Sequence, residues 1–176
     1  SWLLSMQCQS GGWAAFDINN EKKILNEVPF ADHGAMLDPP TVDVSGRVLW
    51  LLGQIGFKRD HAKVEKVIGF IKDRQEIDGS WWGRWGVNYI YGSWLALTGL
   101  ASIGEDMNQP YVRRTVEWYE AHQNEDGGWG ETCESYKTPS LAGKGNSTAS
   151  QTAWALMGMI ASGEEKNLVV KRGIEF

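Results

Sequence analysis

Gln75-Glu-Ile-Asp-Gly-Ser-Trp81 is the stretch whose reading decides the fold, because its template, Gln-x3-Gly-x-Trp, occurs three times. Gln7…Gly11-Gly12-Trp13 and Gln123…Gly127-Gly128-Trp129 are the other copies. The match extends upstream of each Gln: Trp2, Phe70 and Trp118 stand five residues before it, and Leu3, Ile71 and Tyr119 four before. Lys66 and Arg114 stand nine before, and a fourth copy begins at Arg172-Gly-Ile-Glu-Phe176. A repeat of this kind is the signature of stacked supersecondary units that share a core. Its parts have a physical sense: a Gln in the last turn of a helix, where carbonyls run out of partners, a Gly that permits a reversing turn, and a Trp plate over that turn. The Gln amide and the Trp are expected to tie each turn to a neighbouring helix end. These residues build a scaffold.

Downstream of the second copy, Asp78 to Trp94 holds four Trp, two Tyr and four Gly around a single Arg, Arg84. Such a joint is either a tight tertiary staple or the wall of a cavity. The helical patterns on either side alternate in character. Residues 60–75 (Val64, Val67, Ile68, Ile71) and 109–123 (Val112, Val116, Tyr119) carry one apolar stripe, as surface helices do. Residues 41–56, 87–103 and 146–162 are apolar nearly all round and belong inside. Pro39-Pro40 and Pro110 suit helix starts, where a missing N–H does no harm. No strand pattern competes. The fold expected is all-α: an outer helix, a Gly-Trp turn and an inner helix, repeated into part of a double-layered α/α toroid. The irregular stretch 14–40 has the length of a functional or covering loop.

Composition narrows the function. The chain has 176 residues, one domain's worth, with ten Trp and 21 Gly. A net charge of −5 gives nucleic acid no basic surface. Two distant cysteines, Cys8 and Cys133, make no disulfide framework and suit a reducing compartment. No apolar run reaches the roughly 18 residues of a membrane-spanning helix. The chain opens and closes inside helical patterns, so it reads as a piece of a longer protein.

The repeats, the whole stretch Asp78 to Trp94, and further motifs together resemble the squalene–hopene cyclase family of triterpene cyclases. Those motifs are Gly11-Gly-Trp-Ala-Ala-Phe-Asp17, Asp38-Pro-Pro40, Asp43-Val-Ser45, Asn124-Glu-Asp-Gly-Gly-Trp-Gly130 and Ser150-Gln-Thr-Ala-Trp-Ala-Leu-Met157. The resemblance covers essentially the whole chain. It implies that residues 1–176 are part of the carboxy-terminal α/α-barrel domain of an isomerase that cyclises squalene to hopene and hopanol in hopanoid (triterpenoid) biosynthesis. It also implies a metal-free enzyme with no cofactor, set monotopically on the cytoplasmic face of a bacterial membrane, with room for a homodimer in the full-length enzyme. The family's catalytic acid lies in an Asp-x-Asp-Asp motif, which these residues lack. The motif is expected upstream and further cavity residues downstream, so the 176 residues alone are expected to be inactive.

Cyclising a polyene needs a protected acid, a dry shaped cavity, and cation-stabilising groups without nucleophilic oxygen. Aromatic faces meet the last need through their quadrupoles. By position in the family motifs, Trp85 and Phe16 resemble substrate-lining rings, Phe16 standing where relatives often carry Tyr. Tyr91 is implied beside the absent acid, and Tyr136 near it. Asp43 and Arg47, four apart, share one face of an inner helix. Relatives often have His at the Arg47 position beside the acid; an Arg there acts electrostatically and relays no proton. The apolar run Val48 to Leu52 implies that this pair is buried. Phe30 and Asp32 in Phe30-Ala31-Asp32 resemble the constriction through which substrate enters, with Ala31 in place of a relative's Cys. Trp81 and Trp129 are scaffold.

Other signals carry less. His33, His61 and His122 with Cys133 lack metal-ligand spacing, and Asp17-Ile18-Asn19-Asn20 lacks a calcium-loop pattern. Asn146-Ser147-Thr148 is a formal glycosylation sequon better suited to helix capping. An oxidosqualene-type cyclase is the nearest rival, although the Asp43-Val-Ser45 and Trp85-Gly-Val-Asn-Tyr89 patterns look more like the squalene type. A prenyltransferase β subunit would need zinc on inner helices, and a toroidal binding module would need only the cavity. Nothing in the sequence explains Arg84.

Overall fold

The computed structural model describes residues 2–19 and 38–176. Seven α-helices run through them: α1 (Trp2–Ser5), α2 (Val42–Gln54), α3 (Ala62–Asp73), α4 (Tyr89–Ser102), α5 (Pro110–Ala121), α6 (Ala149–Ala161) and α7 (Leu168–Glu175). Two 3-10 turns, Cys133–Tyr136 and Pro139–Leu141, lie between α5 and α6. Among the described residues there is no strand, only an isolated bridge between Trp13 and Thr41. The five helices α2 to α6 fall within the expected inner and outer segments. Thr148 does cap α6, its hydroxyl accepting from the Gln151 N–H.

The helices α2, α4 and α6 pack side by side as an inner layer, and α3, α5 and α7 flank them outside. The outer helices bury one stripe each: Val64, Val67, Ile68, Phe70 and Ile71 on α3, and Val112, Val116, Trp118 and Tyr119 on α5. On α4, with an inner neighbour on each side, ten of the fourteen residues are buried and none is exposed. On α2 and α6, which have one described inner neighbour apiece, Trp50, Leu51, Met157 and Ile160 remain exposed. The inner layer is close because glycine lies at the crossing. A Cβ on Gly99 would stand 2.6 Å from the Gly46 carbonyl oxygen, and one on Gly46 would strike the Leu95 carbonyl. Backbone therefore meets backbone between α2 and α4.

The repeat makes the same three sets of bonds in each copy. The Gln side-chain amide donates to the carbonyl of the turn glycine four residues on and to a carbonyl in the first turn of the next outer helix. Those distances are 2.7 and 2.8 Å for Gln7 (Gly11, Lys63), 2.9 and 2.7 Å for Gln75 (Gly79, Tyr111), and 2.8 and 2.7 Å for Gln123 (Gly127, Val169). The Trp indole N–H donates back to the last turn of the preceding outer helix, at Leu3 (2.9 Å), Ile71 (2.8 Å) and Tyr119 (2.8 Å). The Trp backbone N–H donates to a hydroxyl in the first turn of the following inner helix: Ser45, Ser93 or Thr152, each at 2.9 Å.

Two expectations about this unit need correction. Gln75 and Gln123 stand just beyond their helices, after the C-cap residues Arg74 and His122. The group that serves the helix end is the indole N–H, because last-turn carbonyls have lost their intrahelical donors and the Trp ring, turned over the helix end, presents one. The turn glycines adopt φ of +97° (Gly11), +96° (Gly79) and +90° (Gly127), a region that disfavours side chains. Each also abuts a carbonyl nine residues before the next repeat's Gln position: Lys66, Arg114 and Arg172.

Gly79→Ala is therefore expected to destabilise the protein through both backbone strain and collision, since its Cβ would lie 2.8 Å from the Arg114 carbonyl oxygen. Gly56→Ala, at φ +95° with nothing within 4 Å, isolates the strain alone. Denaturant unfolding should show a loss of about 1–2 kcal/mol for Gly56→Ala, and about 1–3 kcal/mol more for Gly79→Ala. Equal losses would show that the close approach contributes nothing.

Candidate active site

The bond from each Trp backbone fixes where the next inner helix begins, and the candidate residues sit at those beginnings. Asp43 precedes Ser45 by two positions, and Tyr91 precedes Ser93 by two. Both face one cavity of about 290 Å³, lined by Ala15, Phe16, Asp43, Val44, Arg47, Trp85 and Tyr91. Five residues expected at the site from sequence thus share a single pocket. Phe30 and Asp32 lie outside the described residues. Tyr136 is not in the pocket wall.

Asp43 lies in the first turn of α2, where the helix dipole favours a carboxylate. It is 1% exposed. One of its oxygens accepts from the Val44 N–H at 3.0 Å; the other accepts from the backbone N–H groups of Arg84 (3.0 Å) and Trp85 (2.8 Å). The carboxylate is thereby committed to holding the 84–85 segment against α2. The i,i+4 partnership with Arg47 is not made. Arg47 is exposed and turns instead to Tyr91, donating from Nη2 to the Tyr91 hydroxyl at 3.2 Å. Asp43 is committed to backbone N–H groups and Arg47 to the Tyr91 hydroxyl, so the shared helical face does not pair the two charges.

Tyr91 is the centre of an aromatic cluster. Its ring meets Trp94 (centroids 5.7 Å apart) and Trp154 (5.0 Å) edge-on, and those two indoles stack at 5.8 Å with planes 5° apart. The Arg47 guanidinium carbon stands 5.8 Å from the Tyr91 centroid and 5.4 Å from that of Trp94. Trp85 is 44% exposed towards the pocket and meets Phe16 edge-to-face at 6.0 Å. Such offset and perpendicular pairs suit the ring quadrupoles.

Tyr136 acts from behind. Its hydroxyl donates to the fork formed by the carbonyls of Gly86 (2.8 Å) and Arg84 (3.1 Å), and its ring meets Trp82 edge-on. Burial, and then the nearby negative charge of Asp43, push its pKa up to about 12. The phenol keeps its proton and goes on donating.

Sequence reasoning missed several groups. Arg84 has a partner: its Nε stands 2.7 Å from Asp38 Oδ1, and Asp38 Oδ2 accepts the Ala15 N–H at 2.8 Å. The Asp38-Pro-Pro40 motif marked the position, but not the partner 46 residues away. Trp94 and Trp154 lie in the uniformly apolar inner segments and carry no separate local signal, although Trp94 follows Tyr91 by three, one helical turn. Glu131, 7% exposed, accepts the N–H groups of Asn88 (3.1 Å) and Ile90 (3.0 Å) at the start of α4, and no local pattern signalled it. Among the described residues, no group of three or more His, Cys, Asp or Glu side chains could hold a metal ion.

A layered all-α segment of a toroid, with a ring-lined pocket at its inner helix starts, is the class that fold and site define. The chain belongs to the squalene-hopene cyclase C-terminal domain family, whose family model matches residues 1–176. It is 48% identical over 176 residues to the squalene–hopene cyclase of Zymomonas mobilis, covering 99% of this chain and 27% of that protein. It is 49% identical over 173 residues to the squalene-hopene cyclase of the fungus Schizosaccharomyces japonicus, covering 98% and 26%. It is also 43% identical over 182 residues to the dammaradiene synthase of Dryopteris crassirhizoma, covering 93% and 27%. The chain spans about a quarter of the length of these relatives, which are not confined to bacteria.

Tyr136 yields a pH prediction. Its folded-state pKa is raised above the ordinary 10, so the stability it contributes is complete below pH 10 and is lost as pH rises towards 12. The stability difference between the wild type and Tyr136→Phe, measured by denaturant unfolding, should shrink between pH 10 and 12. A constant difference over that range would show that the hydroxyl is not held neutral by its surroundings.

Proposed function

We propose that this chain forms part of the active-site wall of a triterpene cyclase that converts squalene, an apolar polyene, into hopene and hopanol. The reading rests above all on one observation: Phe16, Trp85 and Tyr91 line one pocket while the carboxylate beside them, Asp43, is tied to three backbone N–H groups. Rings can stabilise a carbocation without trapping it, whereas a free carboxylate oxygen could capture or deprotonate it. The acid that protonates the terminal alkene is supplied from outside these residues.

In this reading each residue has a distinct task. Trp85 and Phe16 present aromatic faces and edges to the migrating positive charge and keep water out. Arg47 donates to the Tyr91 oxygen and so leaves the phenol's own proton free to bond to a partner in the pocket. The Trp94–Trp154 stack holds the Tyr91 ring in place. Asp43 and Tyr136 fix the backbone that carries Trp85. The full-length enzyme would lie monotopically on the cytoplasmic face of a membrane, drawing its substrate from the lipid, and would pair as a homodimer. Among the described residues no helix is long and apolar enough to cross a membrane.

The intact protein that carries this chain is expected to convert squalene into pentacyclic products in preference to oxidosqualene. A ring facing the cation contributes roughly 0.5–2 kcal/mol, so Trp85→Leu should lower kcat/KM for squalene by about 2–30-fold. Chromatography of the products tests both statements. Preference for oxidosqualene would move the protein to the rival class, and an unchanged rate in Trp85→Leu would remove Trp85 from the substrate wall.

A further inference from the structure

We infer that Arg84 and Asp38 form a positioning pair for Trp85, in which the Asp38 charge keeps the Arg84 cation from opposing a substrate cation held against the same indole. This rests on Trp85 facing substrate, as proposed above. Arg84 is engaged through its backbone N–H, its carbonyl and its Nε. Its N–H is held by Asp43 (3.0 Å) and its carbonyl accepts from Tyr136 (3.1 Å). Its Nε stands 2.7 Å from Asp38. Its guanidinium carbon lies over the Trp85 ring, 5.8 Å from the centroid. Yet Arg84 is not part of the pocket lining. It therefore acts on the pocket through Trp85.

Burial makes the pairing consequential. The Arg84 side chain is 20% exposed and that of Asp38 only 3%, so solvent screens the pair poorly. Asp38 also binds the Ala15 N–H at 2.8 Å. The pair thus fastens together residues 15–16 and 84–85, whose rings, Phe16 and Trp85, meet in the pocket wall. A guanidinium over an indole already draws on the ring quadrupole. Without a neighbouring carboxylate, it would also repel a second cation approaching that ring. At an effective dielectric of about 20, such a repulsion corresponds to roughly 10-fold in affinity or rate. With Asp38 in place, the substrate meets a nearly neutral ion pair behind a well-fixed ring.

The test compares two probes on the intact protein: a polyene-like chain carrying a tertiary ammonium, and its neutral carbon isostere. The readout is the ratio of their affinities. Asp38→Asn leaves the Arg84 cation uncompensated and should lower the preference for the ammonium probe about 10-fold. Arg84→Gln leaves the Asp38 carboxylate and should raise that preference, so the proposal stays testable if either variant fails to fold. The double variant should return near the wild-type ratio. Equal weakening of both probes in Asp38→Asn, with the ratio unchanged, would reduce the pair to a structural fastening and overturn the inference. A wild type that binds neither probe would instead overturn the active-site reading on which it rests.

Discussion

The structure depends on one bridging amide. A Gln side chain just past an outer helix donates simultaneously to its own turn and to the first turn of the next outer helix. Neither bond alone would set the spacing of two helices; together they fix both distance and register. The turn beneath requires glycine because the neighbouring backbone occupies the space a Cβ would need. The adjoining Trp then serves two helices, its indole N–H closing the end of one and its backbone N–H anchoring the start of the next inner helix. Each such bond is worth only about 0.5–1.5 kcal/mol net. Their value lies in repetition and in geometry, since every inner helix starts from the same kind of anchor.

That anchoring carries the scaffold into the site. Because Ser45 and Ser93 are pinned in equivalent ways, Asp43 and Tyr91, each two positions earlier, are brought to the mouths of adjacent inner helices. The glycine crossing between α2 and α4 then sets how close those mouths lie. Asp43 holds the N–H groups of residues 84 and 85, and Tyr136 holds the carbonyls of residues 84 and 86. The pocket is accordingly preformed by backbone that Asp43 and Tyr136 hold in place, which suits the proposed guidance of a reactive cation.

Much of this was legible in the sequence. The Gln-x3-Gly-x-Trp copies revealed the repeat, and the contrast between striped and uniformly apolar helices separated outer from inner layers. The family motifs selected Phe16, Asp43, Arg47, Trp85 and Tyr91, which converge. What remained hidden were pairings across long separations. The spacing of Asp43 and Arg47 suggested a helical ion pair, but Asp43 bonds to residues 41 and 42 positions away and Arg47 to one 44 away. Arg84 could not be understood without Asp38, and Glu131 could not be seen at the start of α4. A local pattern reports the face a residue occupies; which groups meet across that face is decided by the turn and by the layer opposite.

The staples deliver Phe16, Trp85 and Tyr91 to one wall, against which an apolar polyene is proposed to lie. A crystal structure of the intact protein with a non-reactive squalene analogue bound tests it most directly. Hydrocarbon atoms of the ligand are expected within about 4.0–4.5 Å of the Trp85 and Phe16 rings, with Asp43 still bonded to the backbone of residues 84 and 85. A ligand seated elsewhere, with the Phe16–Trp85 pocket empty, would contradict it.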